Sequence, residues 1–415
     1  MKKKDYLVIT IIILVILSII FINRIIPRES GTYVLIHSSN GSSQTLKLAD
    51  NKRIELTGNT IVINDGSVYM ESADCPDKLC VKHKPVSRIG ESIICLPNRL
   101  SIEITDSASP VSVDGFYFNT YISVTAYDGT SDDIINEIPN ICDHYEQLCS
   151  RTSDTSELYK LNHRLTSVEY CDQKGIDHYP LSPELYDMIK VGLEYSDETD
   201  DIFNIAIAPV TDLWDFTSGT DNIPDKELIA NALRYVNSSD IRLYDDYTIS
   251  FANEETMIDL GGMAKGYIGD VLKNYLADNG CTNAIIALGG NIVCIGDKNG
   301  SPYTIGIQKP FDPTGSSITT IEVKDTSVIT SGVYERCFEK DGRLYHHILD
   351  TRPGYPIDND LLGLTVICDS STMGDCLSTY IFSLGLDKAI DYANIHNDVQ
   401  IIAIDKDYKI HKSTM

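Results

Sequence analysis

Met257-Ile258-Asp259-Leu260-Gly261-Gly262-Met263-Ala264-Lys265-Gly266-Tyr267-Ile268-Gly269-Asp270 is the stretch around which the chain is organised. An apolar run ends in the Asp259 carboxylate, two glycines follow, and Met263, Tyr267, Val271, Leu272 and Tyr275 then recur at helical spacing. The pattern predicts a strand, a tight Gly-Gly turn and a helix. Such a turn lets backbone approach a ligand with no Cβ in the way. The helix start would offer unpaired N–H groups and a positive dipole end, which suits phosphate. Lys265 adds a mobile cation one turn in. An ordinary β–α junction with a surface lysine would read the same way. Neither a G-x-x-x-x-G-K-[ST] loop nor a G-x-G-x-x-G fingerprint is present here.

Downstream, 284–288 reads as an apolar strand ending in Gly289-Gly290-Asn291, and strands follow at 303–307 and 318–323. Thr330-Ser331-Gly332 then precedes Tyr345-His346-His347-Ile348-Leu349-Asp350-Thr351-Arg352-Pro353-Gly354. Adjacent histidines on a strand point to opposite faces, so only one of His346 and His347 can face a site, and spacing alone does not choose. Ser371 to Thr379 opens a helix in which Asp375 and Thr379 share one face. Two oxygen ligands one turn apart suit Mg2+. Capping by Ser371 with surface polarity after it is the plainer reading.

Upstream, Phe118 to Val124 alternates and opens a strand, and a helix covers 134–149 with an interruption at Pro139. A polar Ser150-Arg151-Thr152-Ser153 loop follows, then helices at 183–195 and 225–236. Between these lies Phe203-Asn204-Ile205-Ala206-Ile207-Ala208-Pro209, with Leu213-Trp214-Asp215-Phe216 after it. Trp214 is the only tryptophan. A core position is its usual fate, and the wall of an aromatic-ring pocket is the functional alternative.

A chain of 415 residues has room for two or three domains. Its net charge of -26 argues against nucleic acid and against a polybasic grip on anionic lipid. Lys2 to Lys4 precede an apolar run from Tyr6 to Ile22. With no small-x-small cleavage site after it, residues 1–28 are expected to be an uncleaved transmembrane anchor with the body outside the cell membrane. Residues 32–104 read as a small β-rich domain of short alternating runs. Its Cys75, Cys80 and Cys95 with His83 could make a Cys₃His zinc site. The wide 75/80 spacing and the compartment favour a disulfide or buried thiols. Residues 105–116 read as a linker, and 117–415 as the catalytic body.

The Cys-Pro-Asp-Lys-x-Cys pattern of the small domain resembles the NusG domain II-like module. The larger body resembles the ApbE-like flavin transferases. The elements that carry this are Asn119-Thr120, Ser156-Glu157 through Asn162, Phe203 to Phe216, Asp259-Leu260-Gly261-Gly262 with Lys265-Gly266, Leu288-Gly289-Gly290, Thr330-Ser331-Gly332 with Tyr334, His347-Ile348-Leu349-Asp350, and Asp375 through Thr379. They stand in family order over about residues 115–410. Asn119 stands where many members have methionine, Asn204 replaces a frequent aspartate, and Thr351-Arg352-Pro353-Gly354 replaces Pro-x-Thr-Gly.

The resemblance implies a mixed α/β (α+β) fold and an FAD:protein FMN transferase. FMN would pass from FAD to a threonine or serine of an acceptor protein, expected to be an extracytoplasmic electron-transfer protein, with release of AMP. FAD hydrolysis to FMN and AMP is one alternative reading, and a non-catalytic FAD-binding module is another. On the family pattern, Mg2+ would be held by Asp375, Thr379 and the Gly262 carbonyl, and His347 would be the base. Asn119, Thr152, Trp214, Asp215, Phe216, Asp259, Lys265 and Ile348 would contact FAD.

Overall fold

The computed structural model describes residues 30–414 apart from 39–42, 77, 106–109, 128–129, 217–220, 299 and 314. The anchor expected at residues 1–28 lies outside the described residues. Among the described residues no helix is long and apolar enough to cross a membrane. The chain divides into two compact units, residues 1–109 and 110–415.

The smaller unit is built from two antiparallel sheets. One has four strands in the order Ser43–Lys47, Tyr33–His37, Leu100–Thr105 and Ser92–Cys95; the other has Lys52–Leu56, Asn59–Asn64 and Ser67–Ala73. Alternation does the sorting, as in Asn59–Asn64, where Ile61 and Ile63 turn inward to join Val34, Ile36, Val68, Ile102 and Ile104. Cys75, Cys80 and Cys95 are buried free thiols in this unit. His83 does not join them: its Nδ1 lies 2.8 Å from the Lys84 carbonyl oxygen. The alternative Cys₃His set is therefore not assembled among the described residues, because the ring is turned to its own backbone, and the favoured reading of buried thiols holds.

In the larger unit an eight-stranded antiparallel sheet follows chain order in space: β1 (Val111–Tyr117), β2 (Thr120–Ala126), β3 (Ala284–Leu288), β4 (Asn291–Ile295), β5 (Ser327–Gly332), β6 (Leu361–Cys368), β7 (Gln400–Asp405) and β8 (Ile410–Lys412). The stretch read as linker, 105–116, is corrected at both ends. Thr105 closes a strand of the smaller unit, and Val111 onward pairs with β2 from Val111↔Ala126 to Tyr117↔Thr120. Val111, Val113 and Tyr117 share one face of that strand and pack against the core, although serine, aspartate and proline around them suggest a loop.

Two helices cover the middle of the sheet, α1 (Ala264–Asp278) and α2 (Ser371–Ser383), and pack on each other. Strand β6, Leu-Leu-Gly-Leu-Thr-Val-Ile-Cys, is almost wholly buried, as expected of a strand covered on both faces. The expected helix at 134–149 is two, Asp132–Asn136 and Ile138–Cys149, with Pro139 in the first turn of the second, where its missing N–H costs nothing.

The run before the paired glycines is not a strand. Ile258 exchanges two 2.8 Å hydrogen bonds with the Asn162 side chain, and the Asp259 N–H donates to Ile205 O at 2.7 Å. A side-chain amide thus satisfies the backbone that a sheet ladder would otherwise have paired.

Candidate active site

One end of the sheet gathers its turns around a cavity of about 620 Å³. The two-residue hairpin turns Phe118-Asn119 and Gly289-Gly290 and the end of β5 at Thr330-Gly332 contribute to its wall. Phe118 and Asn119 both have positive φ, 52° and 56°, the twist a two-residue hairpin demands. Gly289 is needed for a second reason: a Cβ there would stand 2.4 Å from Thr120 Oγ1.

The Gly261-Gly262 turn, Lys265, His347, Ile348, Asp375 and Thr379 all line this cavity. Helix packing puts Asp375 there. Gly266 and Gly269 on α1 have no side chains, and a Cβ at Gly266 would meet Ser371 O at 2.4 Å and Asp375 Cβ at 2.7 Å. The close approach lets Asp375 Oδ2 accept the Gly266 N–H at 2.8 Å, with Lys265 Nζ 3.9 Å away. Asp270, on the same face of α1, fixes the register. Its carboxylate accepts from Ser370 Oγ (2.8 Å), Ser371 N (2.9 Å), Thr372 N (2.9 Å) and Thr372 Oγ1 (2.7 Å). It thereby satisfies donors at the start of α2 that the helix cannot pair itself. The cap residue is Ser370, whose Oγ accepts from Met373 N, and not Ser371. Asp375 is 6% exposed, so the reading of this helix as surface polarity fails.

The start of α1 does not leave a free row of donors. The N–H groups of Met263 and Ala264 both bond to Leu260 O, and that of Gly266 goes to Asp375. Cationic side chains in the lining are Lys265, Arg151 and Arg336. Arg151 Nε stands 3.3 Å from Asp259 Oδ2, and its guanidinium also pairs with Asp212. Asp259 Oδ1 in turn accepts the Gly261 N–H at 2.8 Å, tying the glycine turn to the arginine.

The two histidines separate as alternation requires. His346 is buried, with Nε2 2.9 Å from the Ile357 carbonyl oxygen, and burial pushes its pKa down to about 4. His347 lines the cavity, and among the described residues its Nδ1 has no hydrogen-bond partner. Burial, then the nearby Arg336, His346 and Lys265 charges, push its pKa down to about 3, so the imidazole is neutral at physiological pH.

Asn119, Thr152, Asp215 and Phe216 also line the cavity. Trp214 does not. It is fully buried, donates Nε1–H to Gly354 O at 2.8 Å, and stacks on Phe216 with ring centroids 5.5 Å apart. Phe216 is the wall and Trp214 the layer behind it, because the indole finds both apolar cover and a carbonyl there. The sequence reading left out Arg151, Arg336, Glu335 and Asn291 as site residues. Their only signal is adjacency to the motifs, since nothing in their spacing marks them. The Asn204 and Asn291 side chains line the cavity with Nδ2 buried and, among the described residues, unpartnered. Each offers N–H donors to whatever enters.

The donor set fits a hard divalent cation. Asp375 Oδ1 and the Thr379 hydroxyl take part in no hydrogen bond within the described residues, and both are oxygen ligands. The lining carries five carboxylates (Glu146, Asp215, Asp259, Glu335, Asp375) against three cations, so a polyphosphate would meet net negative charge without added positive charge.

Comparison with known proteins gives the same assignment. The profile of the ApbE family matches residues 118–403, and that of NusG domain II matches residues 7–108. An FAD:protein FMN transferase of Klebsiella pneumoniae is 33% identical over 267 residues, 64% of this chain and 80% of that protein. One from Treponema pallidum is 27% identical over 294 residues, 67% of this chain and 79% of that protein. Among solved structures, the ApbE protein of Thermotoga maritima aligns at TM-score 0.65 with 27% identity, over 74% of this chain and 97% of that one. The flavin transferase ApbE of Vibrio cholerae aligns at 0.64 with 25% identity, over 74% and 97%.

Proposed function

The chain belongs to the ApbE family, and from that premise we propose that it is an FAD:protein FMN transferase. It moves the FMN half of FAD onto a threonine or serine hydroxyl of an acceptor protein and releases AMP. The observation that carries this reading is the convergence of Lys265, His347, Asp375 and the Gly261-Gly262 turn on one cavity. The acceptor oxygen bonds to the FMN-side phosphorus, the bond from that phosphorus to the bridging oxygen breaks, and AMP leaves with the bridging oxygen.

Residues of this chain divide the work. Lys265 sets a cation against the pyrophosphate. Asn204 and Asn291 offer their unpartnered amides to FAD, and Phe216 and Ile348 supply apolar wall for its flavin or adenine ring. His347 accepts the acceptor's hydroxyl proton, and its neutral form is the one able to do so. Pyrophosphate binding beside Lys265 and Arg336 offsets the charges that hold its pKa down, so the imidazole becomes more basic as the substrate arrives. Asp375, Thr379 and the Gly262 carbonyl are the residues that would hold Mg2+. When bound, that ion supplies charge neutralisation at the pyrophosphate and makes AMP a better leaving group.

The lysines at 2–4 and the apolar run from Tyr6 to Ile22 support a single-pass anchor, with this site outside the cell membrane facing an extracytoplasmic electron-transfer protein as acceptor. The test is to incubate the protein with FAD, Mg2+ and such an acceptor, following AMP release and flavin fluorescence that survives denaturation of the acceptor. Matched AMP and covalent flavin are expected. AMP with only free FMN would make the protein a hydrolase.

A further inference from the structure

Cys75, Cys80 and Cys95 lie in the smaller unit, and the transfer reaction does not use them. They come from three separate places: the bend after the Ser67–Ala73 strand, the short helix Leu79–Lys82, and the end of the Ser92–Cys95 strand. Their Sγ atoms all lie within 4.8 Å of one another, with 3.7 Å between Cys75 and Cys80, and none of the three residues is more than 4% exposed. A lone buried cysteine needs no account beyond apolar packing, and a disulfide uses two. Three sulfurs brought to one point from a bend, a helix and a strand match what a soft cation requires. Two thiolates sharing a tetrahedral ion at about 2.3 Å stand about 3.8 Å apart.

We propose that Cys75, Cys80 and Cys95 form a three-thiolate site for one thiophilic closed-shell cation of the Zn2+ class, its fourth position completed by water. Burial and the neighbouring sulfurs push the Cys80 thiol up to about 12, and a thiol gives up its proton when it ligates a metal as thiolate. Binding therefore releases one proton from each sulfur and forms three metal–sulfur bonds, with no change of oxidation state. The ion would staple the bend, the helix and the strand in a unit with a modest core.

The test uses the reduced full-length chain and Cd2+ as probe. One tightly bound equivalent is expected, with thiolate-to-cadmium charge-transfer absorbance and release of close to three protons. Alkylation by iodoacetamide, mapped by peptide mass spectrometry, should spare Cys75, Cys80 and Cys95 together when Cd2+ is present. Cys95→Ser should lose the tight equivalent and the protection of the other two. The mapping on unmodified protein stands even where that variant folds poorly. The proposal is overturned by the absence of a tight equivalent, or by protection falling on other cysteines. A disulfide between two of the three, in protein isolated without reductant, would overturn it equally.

Discussion

Asp375 Oδ2 accepts the Gly266 N–H at 2.8 Å, so one carboxylate both caps the first turn of α1 and faces the cavity. The two duties can be separated. Asp375→Asn keeps an oxygen for the Gly266 amide but removes the charge. Transfer should fall by about a hundredfold or more, the scale of several kcal/mol of metal-linked stabilisation, while the melting temperature changes little. Asp375→Ala should lose activity and also stability, by about 1–2 kcal/mol for the missing cap. AMP release and thermal melts measure the pair. Normal transfer by Asp375→Asn would remove this residue from the reaction.

Asp270 does not itself line the cavity, yet it fixes the start of α2 through four hydrogen bonds. Asp270→Ala leaves two buried-end amides and two hydroxyls unpaired and should destabilise by about 2–4 kcal/mol. The Mg2+ concentration for half-maximal transfer should rise in both Asp270→Ala and the milder Asp270→Asn, because Asp375 and Thr379 ride on the same helix. A purely structural role would lower the melting temperature and leave the Mg2+ dependence alone.

The neutral histidines make stability pH-dependent with a definite sign. His346 and His347 have folded pKa values pushed down to about 4 and about 3 from an ordinary 6.5. The unfolded chain therefore binds protons that the folded chain does not, and stability is lost as pH falls from about 6.5 toward 4. Melting temperatures taken from pH 7.5 to pH 4.5 should decline, and His346→Gln should flatten the decline without touching the cavity lining. An unchanged slope in that variant would show that His346 is not held neutral.

Trp214 is the only tryptophan and stacks directly on Phe216, a wall residue of the cavity. FAD should therefore quench the intrinsic tryptophan fluorescence in a saturable way, without Mg2+ as well as with it. Phe216→Ala should weaken that saturation by roughly tenfold, the loss of about 1–1.5 kcal/mol of ring contact. Quenching that never saturates would place FAD elsewhere.

Much of this arrangement was legible from local chemistry. Asp375 and Thr379 are one turn apart on a helix, and both line the cavity; 284–288 ends in the glycine pair that turns the hairpin. What escaped the sequence reading depends on partners far away in the chain. The 257–260 run reads as a strand because nothing local reveals that Asn162 will satisfy Ile258. The core fate of Trp214 was legible, but the FAD contact implied by the resemblance was not met, because the layer order of Trp214 and Phe216 is set by Gly354, 140 residues on. Arg151 carries no motif at all, and its place follows only from where Asp212 and Asp259 come to lie.

Protein engineers stabilise helices by exchanging glycine for alanine, which commonly adds about 0.4–1 kcal/mol where the backbone allows it. Inside α1 the obvious targets are Gly266 and Gly269, neither of which has an unusual φ. Both choices would be mistaken here. A methyl at Gly266 must displace the Ser371 carbonyl and the Asp375 Cβ, and one at Gly269 meets Ser371 Oγ at 2.9 Å. A thermostability programme guided by helix propensity alone would wedge the two helices apart and deliver a folded protein with its carboxylate out of place.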